Sequence, residues 1–129
     1  MFWAVLVVRV VLGLPFFLVG LDHFLHFIPK PDQAMSENAA KFGGALMDSG
    51  YMTVIKVLEL TGGALVLSGR LVPLGLVLLT PVAINILLFE IFLVGSGGPG
   101  VAFTVLCMVL IWVYRSHFAA VFAVKPKIG

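Results

Sequence analysis

A chain of 129 residues that is 61% hydrophobic and only 11% charged, with a mean hydropathy of +1.18, lies far outside the composition of ordinary soluble domains. Its formal charge is +2 and no run of Lys or Arg breaks the apolar stretches, which argues against a nucleic-acid partner. Crossing roughly 30 Å of hydrocarbon takes about 20 apolar residues per helix, so this length admits four spans and one modest loop, with no room for a soluble domain.

The first apolar stretch, residues 1 to 21, carries its positive charge, Arg9, inside the stretch rather than ahead of it, and no A-x-A cleavage site follows. It reads as a retained helix over residues 2–21 rather than a signal peptide. Residues 22–50 hold most of the acids together with Pro29 and Pro31 and form the one real loop. Within that loop Ala39, Phe42, Gly43, Leu46 and Met47 recur at helical spacing behind Ser36, a residue type suited to an N-cap, so a short interfacial helix is expected there. The second span covers residues 51–69. Arg70 separates it from a third span, residues 71–94, whose Pro73 falls in the first turn, where a missing N–H costs little. "GSGGPG", residues 95 to 100, is a turn by composition, and a fourth span is expected over residues 101–120. The expected fold is an all-α membrane protein: a four-helix antiparallel transmembrane bundle with a short interfacial helix between spans one and two.

Arg70, Arg115, Lys125 and Lys127 fall beside one face, and Lys30 and Lys41 beside the other, with Lys56 about a turn inside span two. The excess puts both termini in the cytoplasm and makes the 22–50 loop external. Depth along untilted helices then places Arg9 about 4 Å to the cytoplasmic side of the midplane, Glu59 within about 2 Å of it, and Asn85 and Glu90 about 4 and 11 Å to the outer side.

An unpaired charge near the bilayer centre costs at least about 2.5 to 3.5 kcal/mol, so Arg9 and Glu59 are expected to be partners, with Lys56 as the rival cation for Glu59. Asn85, four residues after Pro81, is placed to satisfy backbone groups that the proline leaves unpaired. Glu90 has no cation nearby in its own helix; it is either protonated or meets His23 or His26. His23 and His26, with Asp22 beside them, resemble half a metal site, but histidines at a wet interface explain them as well, and no metal is assigned. Arg9, His23, His26, Glu59, Asn85 and Glu90 are the candidates for a polar pocket in the outer half, roofed by the loop. Cys107, the sole cysteine, reads as a small buried hydrophobe.

Arg9 with "GLPFFLVGLDHF", the elements "PKP" and "GGALMDSGY", the long "IKVLELTGGALVLSGRLVPLGLVLLTPVAINILLFE" and the closing "YRSHF" together resemble the DoxX-like integral membrane proteins. The most specific pieces are Glu59-x-x-Gly-Gly, Gly69-Arg70-x-x-Pro73-Leu74 and Pro81-x-x-x-Asn85-Ile86. Two positions depart from the family pattern: Asp22 stands where Asn is expected before His23-Phe24, and Glu90 stands where relatives often carry His. The resemblance implies a four-helix membrane bundle tied to quinone- and sulfur-linked redox systems such as thiosulfate:quinone oxidoreductase. The expectation is therefore a redox-linked accessory protein of the cytoplasmic (inner) membrane, its partners being the lipid bilayer and other subunits of a membrane redox complex. It has no covalently bound cofactor, and quinone is the candidate ligand. A quinone- or small-molecule-binding oxidoreductase is the alternative, and it would gather Glu59, Asn85, Glu90 and His23 around one cavity. A small carrier ranks last, because the chain shows neither paired broken helices nor a repeat.

Overall fold

The computed structural model describes residues 1–29 and 35–129; Lys30, which entered the charge count, and the Lys30-Pro31 part of the "PKP" element lie outside the described residues. Among the described residues five α-helices follow in chain order: α1 (Phe2–Leu25), α2 (Glu37–Asp48), α3 (Tyr51–Ser68), α4 (Val72–Phe89) and α5 (Pro99–Val113). A π-helical segment, Glu90–Val94, continues α4, and two 3-10 turns, Arg115–His117 and Ala119–Phe122, come after α5. Among the described residues there is no strand.

Each boundary has a local cause. α1 runs past the expected end at residue 21 because the Asp22 main-chain carbonyl accepts from His26 N–H at 2.7 Å and the Asp22 carboxylate accepts from Ile28 N–H at 2.7 Å, closing the helix at a left-handed His26. α2 starts where Ser36 Oγ accepts from Ala39 N–H, as the Ser-x-x pattern predicts, and the same hydroxyl donates to the Leu93 carbonyl. Gly69, with φ of 76°, ends α3, and Pro73 sits in the first turn of α4. The fourth apolar helix stops at Val113, short of the expected residue 120. There Arg115 donates from Nη1 to the Trp112 carbonyl at 2.9 Å and lies over its ring, and the chain tightens into 3-10 turns.

α1 packs on α3, α3 on α4, α4 on α5, and α5 returns to α1. All neighbours run antiparallel: a Cβ on Gly13 would meet Leu67 and Gly63, one on Gly20 would meet Leu60, and Gly75 of α4 faces Gly62 and Val66 of α3. Glycines set these helix separations, since backbone meets backbone where a side chain would otherwise intervene. The ring closes on a core of Leu12, Phe16, Val66, Leu76, Leu79, Ala83, Cys107 and Leu110, with Phe16 and Phe103 stacked at 4.8 Å between ring centroids. Outside it the surface is as apolar as the interior: Val7, Val11, Val54, Val57, Val77, Leu88, Val105 and Met108 are all exposed. That inversion suits lipid rather than water. Three helices among the described residues, Phe2–Leu25, Tyr51–Ser68 and Val72–Val94, are long and apolar enough to cross a membrane, whereas α5 has 15 residues.

Candidate functional site

α2 packs against α3 and against the π-helical segment that continues α4. Beneath it, between α2, α3 and α4, is a cavity of about 1120 Å³. Helical spacing explains its walls. Tyr51, Ile55 and Glu59 recur every fourth residue on α3 with Lys56 beside them, and α4 offers Leu78, Val82, Asn85 and Phe89. α2 contributes Ala40, Gly43, Gly44 and Met47 from its inner side, and Phe42 packs against Phe89 with ring centroids 5.7 Å apart.

The polar part of this largely apolar cavity is an ion pair. Lys56 Nζ lies 2.8 Å from Glu59 Oε2, with the two side chains 17% and 4% exposed. An ammonium has three N–H donors and a carboxylate several acceptor sites, so this one contact leaves Glu59 acceptor capacity and Lys56 donors. Two opposite charges held together in a low-dielectric wall are neutral as a pair, yet they offer both hydrogen-bonding polarities to whatever fills the space.

Arg9 does not meet Glu59, contrary to expectation. Its Nε donates to the Val66 carbonyl at 3.0 Å and its Nη2 to the Leu67 carbonyl at 3.2 Å. These are carbonyls of the last turn of α3, which have no partner within the helix and sit at the negative end of its dipole. The register that Gly13 and Gly20 impose on α1 against α3 carries Arg9 seven to eight residues beyond Glu59, about 10 Å along the helix axis. Depth counted from untilted helix centres missed that offset. Gly69 is the matching piece: a Cβ there would fall 2.6 Å from Arg9 Nη2.

The remaining candidates separate. Asn85 lines the cavity, but it is exposed and donates to the Pro81 carbonyl at 2.9 Å, its own i−4 neighbour. The carbonyl that Pro81 leaves without an amide donor is that of Val77, so Asn85 does not repair the proline gap. It also borders a second groove of about 500 Å³ between α4 and α5 with an almost wholly apolar wall. His23 shares a hydrogen bond of 3.1 Å with Thr53 Oγ1, and His26 is the exposed left-handed cap of α1. Neither meets Glu90. Among the described residues no three His, Cys, Asp or Glu side chains gather as a group that could hold a metal.

Glu90 has its own explanation. Both carboxylate oxygens accept from Gly100 N–H, at 3.0 and 3.1 Å, and its main-chain carbonyl accepts from Gly95 and Ser96. It clamps the "GSGGPG" turn and caps the start of α5, where a negative charge is favoured. Glu90→Gln retains one acceptor and should leave the thermal midpoint in detergent nearly unchanged. Glu90→Leu should lower stability by about 1 kcal/mol, the usual cost of a lost cap. Equal stability in both variants would remove the capping role. Sequence reasoning set Asp22 only beside the half metal site of His23 and His26 and missed its role: buried to 3% exposure, it organises the α1 terminus. Its only signal was an acid at the edge of an apolar run.

Comparison of the chain with protein-family models, with curated proteins and with solved structures finds no match.

Proposed function

We propose that this protein is a membrane-embedded, redox-linked accessory protein of the DoxX-like kind that holds a quinone or a similar amphiphile in the cavity under α2. On this reading it partners a quinone-linked respiratory or sulfur-oxidising complex. The observation that carries the binding role is the cavity itself: about 1120 Å³ of apolar space with one desolvated ion pair on its wall. Ligand sites are mostly apolar with a few placed polar groups, and this volume suits a molecule with a small polar head and a hydrocarbon chain. A free Lys56 N–H fits a carbonyl acceptor, and Glu59 and Asn85 fit a hydroxyl donor. The redox assignment rests on the sequence resemblance. An accessory role is favoured over an independent oxidoreductase because Glu90, one of the groups such chemistry would gather at the cavity, is engaged at the start of α5, and His23 is held by Thr53.

The double variant Lys56→Met/Glu59→Leu removes the polar wall without stranding either charge, and should fold. In nanodiscs it should bind a short-chain quinone analogue at least tenfold more weakly than the wild type, since each hydrogen bond to a charged group contributes about 1.5 to 3 kcal/mol. Equal titration curves for the two proteins would exclude the cavity as the site.

The same reading takes α5 and the turns after it as a fourth span and places both termini in the cytoplasm, supported by Arg70, Arg115, Lys125 and Lys127 at one end. An impermeant maleimide applied to intact cells should then label Asn38→Cys and spare Lys127→Cys. The reverse pattern would invert the map.

A further inference from the structure

Beyond Phe118 the chain makes one 3-10 turn, Ala119–Phe122, and then extends. Tyr114 and Phe118 still pack against the core, whereas Val121, Phe122 and Val124 are 76, 79 and 93% exposed. Lys125 and Lys127 come next, and no acidic residue occurs anywhere after Glu90. The antiparallel order brings this segment to the same end as Arg70 and as two exposed tryptophans, Trp3 at the start of α1 and Trp112 at the end of α5. Arg115 stacks 4.2 Å over the Trp112 ring. Asp22, Glu37, Asp48 and Glu90 belong to the opposite end, and Glu59 to the interior.

Tryptophans on outward faces mark the level of a membrane–water interface, and the segment starts at that level. Its apolar side chains have no core to enter, and among the described residues its cations have no acid beside them at this end. Such a pattern matches a chain that lies along a bilayer surface, with apolar groups at the acyl boundary and cations among headgroups. We propose that residues 119–128 form an interfacial anchor that binds anionic phospholipid headgroups, with Val121, Phe122 and Val124 inserted and Lys125, Lys127 and Arg115 facing the phosphates. The proposal needs the chain to be in a membrane but is independent of what the α2 cavity binds.

An environment-sensitive fluorophore on Val124→Cys, in a Cys107→Ala background, reads the anchor in the full chain. In nanodiscs containing phosphatidylglycerol its emission should shift to the blue and be shielded from acrylamide, a neutral quencher. Discs of phosphatidylcholine alone should give weaker shielding, and added salt should release the anionic-disc signal. Lys125→Gln/Lys127→Gln should reduce the bound-to-free ratio in anionic discs roughly 30-fold, taking each lysine near such a surface at its usual contribution. Equal shielding in both lipids, or no effect of the double substitution, would overturn the proposal. Shielding that persists in detergent would assign the segment to the protein's own surface, and shielding that grows with protein concentration would assign it to a second copy. Either result also overturns it.

Discussion

Lys56→Met should destabilise the protein by about 3 to 5 kcal/mol, the cost of leaving a buried carboxylate without its cation. Glu59 is 3% exposed and Lys56 lies 2.8 Å from it, whereas Arg9, the expected alternative cation, is committed to the carbonyls of Val66 and Leu67. His23 of α1 also acts on Glu59 electrostatically, but its ring is hydrogen-bonded to Thr53 Oγ1, and Lys56 is the cation in contact with the carboxylate. Thermal melting in mild detergent should therefore show a lowered midpoint for the single variant and recovery of most of it in Lys56→Met/Glu59→Leu, in which no charge remains to be solvated. A single variant as stable as the wild type would mean that Glu59 is carried in its neutral form and needs no partner. Arg9→Met should cost less, because it uncovers carbonyls rather than a charge.

The second large effect is expected at Gly63. A Cβ at that position would lie 2.7 Å from Phe17 N and 2.9 Å from the Gly13 carbonyl, both main-chain atoms that cannot swing aside. Gly63→Ala forces α1 and α3 apart, and overpacking of this kind costs about 1 to 3 kcal/mol or more. Gly43→Ala is the matched control: nothing lies within 4 Å of the added methyl, and the helix gains roughly 0.8 to 1 kcal/mol from the better residue. Opposite shifts in melting midpoint are the expected result. Similar shifts in both would show that glycine contacts do not set the separation of α1 and α3. Because Arg9 reaches Val66 only at the present separation, Gly63→Ala should also weaken the Arg9 contacts.

The features legible in the sequence were those that depend on short-range pattern. Ser36 and the apolar spacing from Ala39 to Met47 located α2, Gly69 with Pro73 located the α3–α4 turn, and the apolar runs located the long helices. Axial register was not legible. Arg9 and Glu59 sit at similar counted depths, and only the close approach of Gly13 and Gly20 to α3 reveals that they miss each other. Lys56, three residues from Glu59, had the local advantage, since spacing within one helix needs no register at all. The role of Glu90 depends on a ten-residue return through a glycine turn, yet a signal was available. A carboxylate ahead of a Gly-rich turn and a Pro-led apolar run is placed for the N–H groups of the next helix. The early end of α5 had a weaker signal in Arg115, whose guanidinium finds the Trp112 carbonyl and ring.

The π-helical segment Glu90–Val94 has a consequence for how this region tolerates changes in chain length. A wide turn holds one residue more than α geometry needs and takes it up locally, in the stretch that includes Leu93, whose carbonyl receives Ser36. Deleting a single position between Ile91 and Val94 removes that surplus, so the turn relaxes to ordinary α geometry and the chain beyond it keeps its facing. A deletion in the regular part of α4 has no surplus to draw on and would rotate everything beyond it by about 100°, turning Leu93 away from Ser36. The stretch from Glu90 to Val94 is thus where the chain can lose one residue while α2 and the entry to α5 keep their places.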